Sequence, residues 1–113
     1  MLQMSEEKIK RVKYFLNLLL DSKTHSIQVR ALLDTIDDRQ LQAICILLLN
    51  LSKTIFETLP KNSKKLVKQN EKLIKKLLNK KLTNKYKYKL ISKDYKKVFK
   101  LLLLCKPSLQ GLI

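Results

Sequence analysis

The chain has 113 residues, of which 45% are hydrophobic and 30% are charged, and it carries a formal net charge of +16 at pH 7. This length fits one domain with a modest core, and the apolar content is too high for a disordered basic tail. With only one glycine and two prolines, the chain lacks the turn residues of a many-stranded fold, so we expect helices joined by short links.

Two helices are predicted at the start of the charge-balanced half, residues 1–59. Apolar residues recur at helical spacing from Ile9 to Leu20, which predicts the first helix. Ser5 precedes it and can serve as its N-cap, because a serine hydroxyl can accept a hydrogen bond from a backbone N–H of the first turn. A shorter second helix is predicted over residues 27–33, before the acidic segment 34–38.

The third predicted helix has the clearest start signal. Asp37 is followed three residues later by Gln40, which is the spacing of a capping box. Residues 41–51 are apolar nearly all round, so they must be surrounded by other helices of the chain or by a second subunit. Pro60 ends any helix near residues 58–59. The residues expected to form the core and a self-association surface are Leu41, Ile44, Cys45, Leu48 and Leu49.

Nearly all the net charge lies in the second half, residues 60–113. This half has 17 lysines against Glu71 and Asp94, whereas residues 1–59 have eight Lys or Arg against seven acidic residues. One long amphipathic helix, capped by Asn62 or Ser63, is predicted to run to residue 78. A short helix over residues 83–91 and a last helix opening at residue 92 or 94 complete the chain.

Charge of this density attracts polyanions, because neutralising them releases condensed counterions. The chain uses 22 lysines and three arginines, which favours contact with phosphates over reading of bases. The predicted nucleic-acid contacts are Lys64, Lys65, Lys68, Lys72, Lys75, Lys76, Lys80 and Lys81. A second set consists of Lys85, Lys87, Lys89, Lys93, Lys96, Lys97 and Lys100. Tyr86 and Tyr88 among them could stack on unpaired bases or pack half-buried with wet hydroxyls.

No set of residues typical of an enzyme is evident. There is one histidine, His25, and the sequence has no glycine-rich nucleotide loop and no carboxylate cluster, so we expect no catalysis, no cofactor and no metal. Cys45 and Cys105 lie in leucine-rich runs and are expected to be buried free thiols. Uninterrupted apolar runs fall short of the ~18 residues of a membrane span, and the start of the chain is not typical of a secretory signal. We therefore expect an intracellular protein.

The chain resembles a small lysine-rich protein of adintoviruses and related Maverick (Polinton)-type elements. The resemblance covers residues 32–45, 49–51 and 79–81, together with the lysine helix between the last two ranges. The chain departs from that family's pattern at residues 53–56, where a Gly-Asn-Ile-Pro loop is absent, and at residues 109–112, where Gly-Gly-Phe is absent. The resemblance implies a viral or element-derived protein located in the host nucleus or the virion.

Together these patterns predict one all-α domain spanning residues 1–113, a compact bundle of five to six short helices with a basic C-terminal half. We expect a self-associating protein that binds or condenses nucleic acid without sequence preference, with DNA favoured over RNA. One alternative is a structural protein that contacts a capsid or host protein through the apolar helix 41–51. Another is a peripheral protein whose basic helices lie on anionic membranes, although the absence of Trp weakens the membrane interpretation.

Overall fold

The computed structural model describes residues 6–21 and 26–106, and within these ranges the chain is helical without strands. The all-α class is therefore confirmed. The helices are α1 (Glu6–Leu19), α2 (Ser26–Asp34), α3 (Asp38–Asn50), α4 (Lys61–Gln69), α5 (Glu71–Leu78), α6 (Asn84–Lys93) and α7 (Tyr95–Leu103). The described part has one helix more than the six predicted, because the predicted long helix over residues 62–78 is broken in two. The predicted cap at Ser5 lies outside the described residues.

Helix α3 begins at the predicted capping box. The Asp37 carboxylate accepts a hydrogen bond from the backbone N–H of Gln40 at 2.8 Å, and the Gln40 side-chain oxygen accepts one from the N–H of Asp37 at 2.9 Å. Two backbone donors that lack partners within the helix are thereby satisfied. The local sequence alone fixes this end of the helix.

The apolar faces of α3 form the centre of the core. Leu41, Ile44 and Leu48 are at most 2% exposed, and α1, α5, α6 and α7 all pack against this helix. Cys45 is also buried, whereas Leu49 is half-buried and faces a surface groove. Helices of the same chain thus cover the four buried residues. Self-association through the predicted set stays a prediction.

The helix that starts as α3 changes its hydrogen-bond pattern before it ends. A π-helical segment, Leu51–Ile55, follows directly and leads into a 3₁₀ turn, Phe56–Thr58. Leu59 is extended and Pro60 follows, so the predicted end of the helix is confirmed. Within the described residues, the stretch Asp38–Thr58 is the one that could cross a membrane by length and hydropathy. Core helices of compact proteins meet the same criterion, and α3 occupies the core here.

Both cysteines are buried free thiols, as predicted. The Cys45 thiol donates to the carbonyl oxygen of Leu77 at 3.4 Å, and the Cys105 thiol donates to that of Leu47 at 3.5 Å. Burial raises the pKa of Cys105 to about 12. It also raises the pKa of Cys45, against the opposing effect of the nearby positive charge of Lys87. Each thiol therefore ties α3 to a neighbouring segment as a neutral donor.

Helix α6 is held on the core by acidic residues that flank the connection between α2 and α3. The Asn84 side-chain amide donates to the Asp38 carboxylate at 3.1 Å, and the Tyr88 hydroxyl donates to the same oxygen. One turn further along α6, the Ser92 hydroxyl donates to Asp34 at 2.6 Å. Polar side chains on one side of α6 thus form hydrogen bonds with the charge-balanced half of the chain.

Replacing Leu48 by Ala tests the central position of α3. Leu48 is fully buried, so Leu48→Ala should lower the free energy of unfolding by about 2–5 kcal/mol, because it removes apolar contacts and leaves a cavity. Urea denaturation followed by circular dichroism measures the change. The matched control is Leu103→Ala, at a residue that is 36% exposed and should cost about 1 kcal/mol or less. Equal losses in the two variants would contradict the assignment of the core.

Replacing Asp37 tests the capping box. Asp37→Ala should lower the free energy of unfolding by about 1 kcal/mol, since a backbone donor of α3 loses its acceptor. Asp37→Asn keeps an acceptor oxygen, so it should lower the free energy of unfolding by only about 0.3 kcal/mol. The same denaturation experiment compares the two variants, and an Asn variant as unstable as the Ala variant would exclude the hydrogen bond as the source of the stability.

Candidate nucleic-acid interface

The lysines of α4 occupy one face of that helix. After the Pro60 N-cap, the helix starts at Lys61, and the spacing of Lys61, Lys64, Lys65 and Lys68 places them on one side of a helix. Val67 lies outside this face and is buried. Lys61 shares this face, but it is absent from the predicted contacts because the sequence pattern placed the start of the helix at residue 62 or 63. The signal that could have found it is the preference of Pro for the first turn of a helix, which favours a start close to Pro60.

The predicted long helix is wrong in one respect, because it breaks at Asn70. This residue has φ −108° and ψ 18°, is only 9% exposed, and its side-chain amide donates to the carbonyl oxygen of Leu66 at 2.9 Å. The side chain thus satisfies a carbonyl near the end of α4, as local Asn hydrogen bonds often do where a helix ends. Helix α5 begins at Glu71, directly after this residue.

On α5 the lysines lie opposite the buried residues. Lys72, Lys75 and Lys76 are exposed, whereas Leu73, Ile74 and Leu77 on the other face are buried. The Lys75 ammonium lies 3.2 Å from the Glu71 carboxylate, and both side chains are more than 60% exposed. Such an exposed ion pair is weak, about 0.5 kcal/mol. Glu71 therefore screens this face only slightly.

The turn after α5 extends the basic surface. Lys80 and Lys81 are both exposed, and the Asn79 side-chain oxygen accepts from the backbone N–H of Lys81 at 2.9 Å, which orders the turn. The structure thus leaves all eight predicted contact lysines exposed or half-exposed, on two consecutive helices and the turn that follows.

Most of the second set of lysines is also exposed, with one exception. Lys87 is only 8% exposed and lines a cavity of about 330 Å³ together with Cys45, Asn84 and Lys80. Its expected role as a surface contact is therefore wrong. The burial of Lys87 could not be predicted from the alternation of Lys and Tyr along residues 85–89. In a helix, residues two positions apart lie on different faces, so the lysines of this segment do not share one surface. The exposed members are Lys85, Lys89, Lys93, Lys96, Lys97 and Lys100.

The two tyrosines of α6 have different surroundings. Tyr86 is 41% exposed. The Tyr88 hydroxyl donates to Asp38, and burial, followed by this hydrogen bond and the carboxylate charges of Asp38 and Asp37, raises its pKa to about 12. Tyr88 is therefore engaged in holding α6 to α3. Stacking on bases stays a prediction for Tyr86 alone.

Lysines from different elements meet around one surface groove. This groove, of about 670 Å³, lies between the end of α3, the π-helical segment, α4 and α5. Lys53, Lys68 and Lys75 line it, and we call it the lysine-rimmed groove. The ammonium groups of Lys64 and Lys68 lie 5.6 and 6.0 Å from the centre of the Phe56 ring, close enough for cation–π attraction.

No metal-binding cluster of His, Cys, Asp or Glu occurs in the part of the chain that the structure describes, and His25 lies outside it. No protein-family model, curated protein or solved structure matches this chain. Any function must therefore be inferred from the site itself.

The hydrogen bond of Tyr88 predicts a pH-dependent stability. The phenol pKa is near 10 in the unfolded chain and about 12 in the folded protein. Between these values the unfolded state has lost a proton that the folded state keeps. The resulting stabilisation is complete below pH 10 and is lost as the pH rises towards 12.

Urea denaturation of Tyr88→Phe at pH 8 and pH 11 tests this expectation. At pH 8 the variant should be less stable than the parent by about 1 kcal/mol, because the hydrogen bond to Asp38 is gone. The difference should shrink at pH 11. Tyr86→Phe is the control and should differ little from the parent at either pH. A Tyr88→Phe deficit that does not change with pH would contradict the raised pKa.

Proposed function

We propose that this protein binds or condenses nucleic acid, preferably duplex DNA, without sequence preference, through the lysines of α4, α5 and the following turn. The setting implied by the sequence resemblance, a viral or element-derived protein acting in a host nucleus or a virion, belongs to the same proposal.

The observation that carries the proposal is the composition of the surface between residues 61 and 81. This segment has nine lysines and one acidic residue, and every one of those lysines is exposed or half-exposed. Phosphates of duplex DNA are spaced at one charge per ~1.7 Å of helix axis, so a surface with several exposed ammonium groups can contact many phosphates at once.

The distribution of charge also supports a dedicated surface. A general bias towards lysine would raise the charge of both halves, yet residues 1–59 are nearly neutral. The acidic residues Asp34 and Asp38 are exposed, but each accepts a hydrogen bond from a side chain of α6. Ammonium groups on flexible stems form sequence-blind phosphate contacts, whereas bidentate recognition of guanine favours arginine.

Binding should weaken steeply with salt. With six to eight phosphate contacts, log K against log salt should fall with a slope of roughly −5 to −7 for duplex DNA. Fluorescence anisotropy with two unrelated duplexes of equal length, titrated at several salt concentrations, measures both the slope and the sequence preference. Failure to bind at low salt, or a slope near zero, would overturn the proposal.

A variant in which four of the central lysines are replaced by uncharged glutamines tests where the interface lies. Lys72→Gln, Lys76→Gln, Lys80→Gln and Lys81→Gln together should reduce the magnitude of the slope by about 3–4, because each lost phosphate contact removes ~0.9. The control variant removes the same charge from α6 and α7, at Lys89, Lys93, Lys96 and Lys100. It should change the slope less. Equal effects would mean that overall charge, and not this surface, drives binding.

A further inference from the structure

The lysine-rimmed groove has an apolar floor. Leu49 and Phe56 lie on one side, Val67 comes from α4, and Ile74 and Leu78 come from α5. Leu49, Phe56 and Leu78 are only half-buried, although Phe56 and Leu78 pack against the core. A contiguous apolar surface that remains exposed to solvent marks a binding site more often than an isolated exposed apolar side chain does.

The rim of the groove is cationic. Lys53, Lys68 and Lys75 line it, and the one acidic residue in the lining, Glu71, pairs with Lys75. Lys53 and Lys68 therefore place two ammonium groups beside apolar side chains with no carboxylate of the lining assigned to them. An occupant that complements this arrangement has an apolar body and an anionic head.

The backbone on one side of the groove is irregular. Ser52 and Lys53 belong to the π-helical segment, and Phe56 begins the 3₁₀ turn. π-Helical segments are rare and occur frequently at functional sites. Here the segment positions Lys53 at the rim and leads into the ring of Phe56 at the floor.

The dimensions fit a small ligand. A volume of about 670 Å³ lies within the range of ~300–1,000 Å³ that is typical of small-molecule sites, which are mostly apolar with a few polar groups that fix orientation. We propose that the lysine-rimmed groove binds a single-chain fatty-acid-class carboxylate, with its alkyl chain along Phe56, Ile74 and Leu78 and its carboxylate at Lys53 and Lys68.

The groove overlaps the proposed DNA contacts only at Lys68 and Lys75, whereas Lys72, Lys76, Lys80 and Lys81 lie outside its lining. The proposal therefore goes beyond nucleic-acid binding and can fail or succeed independently of it. The lysine-rimmed groove shares Lys68 and Lys75 with the predicted contact set, so occupancy by an anion would also reduce the charge available to DNA.

The test uses the full chain and 11-(dansylamino)undecanoic acid, a fluorescent fatty-acid probe, below its critical micelle concentration. We expect saturable binding with one probe per chain, seen as a rise and blue shift of the dansyl emission. Dodecanoate should displace the probe, whereas dodecanol, which lacks the charge, should not. The absence of saturable binding, or equal displacement by the alcohol, would overturn the proposal.

Two exposed lysines of the rim allow a charge-reversal variant. Lys53→Glu with Lys68→Glu should weaken the probe by about tenfold or more, because two charge-assisted contacts are lost. The matched control, Lys89→Glu with Lys93→Glu, makes the same change in net charge on α6 and should leave the affinity within about twofold. Equal weakening in both variants would show that net charge alone attracts the probe and would overturn the site.

A third variant tests the apolar floor. Phe56→Ala should weaken the probe, whereas its circular dichroism spectrum should match that of the parent, since Phe56 is half-buried. Duplex binding measured on the same preparation of parent protein separates the two functions. If the probe does not bind while DNA does, the groove proposal fails and the nucleic-acid proposal stands; the reverse result overturns only the latter.

Discussion

The whole arrangement depends on the need to keep one helix out of water. Helix α3 is apolar on nearly every side, and Ile44 and Leu48 are fully buried. Each large apolar side chain that is removed from water contributes about 1.5–3 kcal/mol, so neighbouring helices gain most by turning their apolar faces towards α3. Because α5, α6 and α7 do so, most of their lysines are left on the outside. The charged surface is thus a consequence of how the core is covered.

The lysines oppose that core, since like charges brought close together repel and destabilise a compact state. Two features offset the repulsion within the described residues. Ion pairs join Lys75 to Glu71 and Lys97 to Asp94, and lysines such as Lys64 and Lys68 lie near the face of Phe56. Neither neutralises the outer faces of α4 and α5. A bound polyanion would do so, and any ligand that binds only the folded state also stabilises it.

Much of this could be predicted from sequence, where local chemistry decides. The capping box at Asp37, the end of the helix before Pro60 and the burial of the thiols all follow from short patterns and are confirmed. Features set by contacts distant in the sequence could not be predicted. The sequence around Asn70 does not indicate the end of a helix. The helix ends there because the Asn70 side chain is buried and its amide donates to the carbonyl oxygen of Leu66. Lys87 is buried because α6 docks on α3, and the groove exists only once α4 and α5 pack beside the π-helical segment. These depend on tertiary packing rather than on propensity.

The π-helical segment Leu51–Ile55 has an effect beyond its own turn. A π turn holds about one residue more than an α turn, and each residue of an α-helix advances the chain by ~100° around the axis. The extra residue therefore sets the angle at which the chain leaves the core at Pro60. Loss of a single codon in this segment would rotate everything that follows relative to α3, so that the cationic side of α4 would point elsewhere. Evolution of this chain should accordingly tolerate amino-acid exchanges here more readily than changes in length.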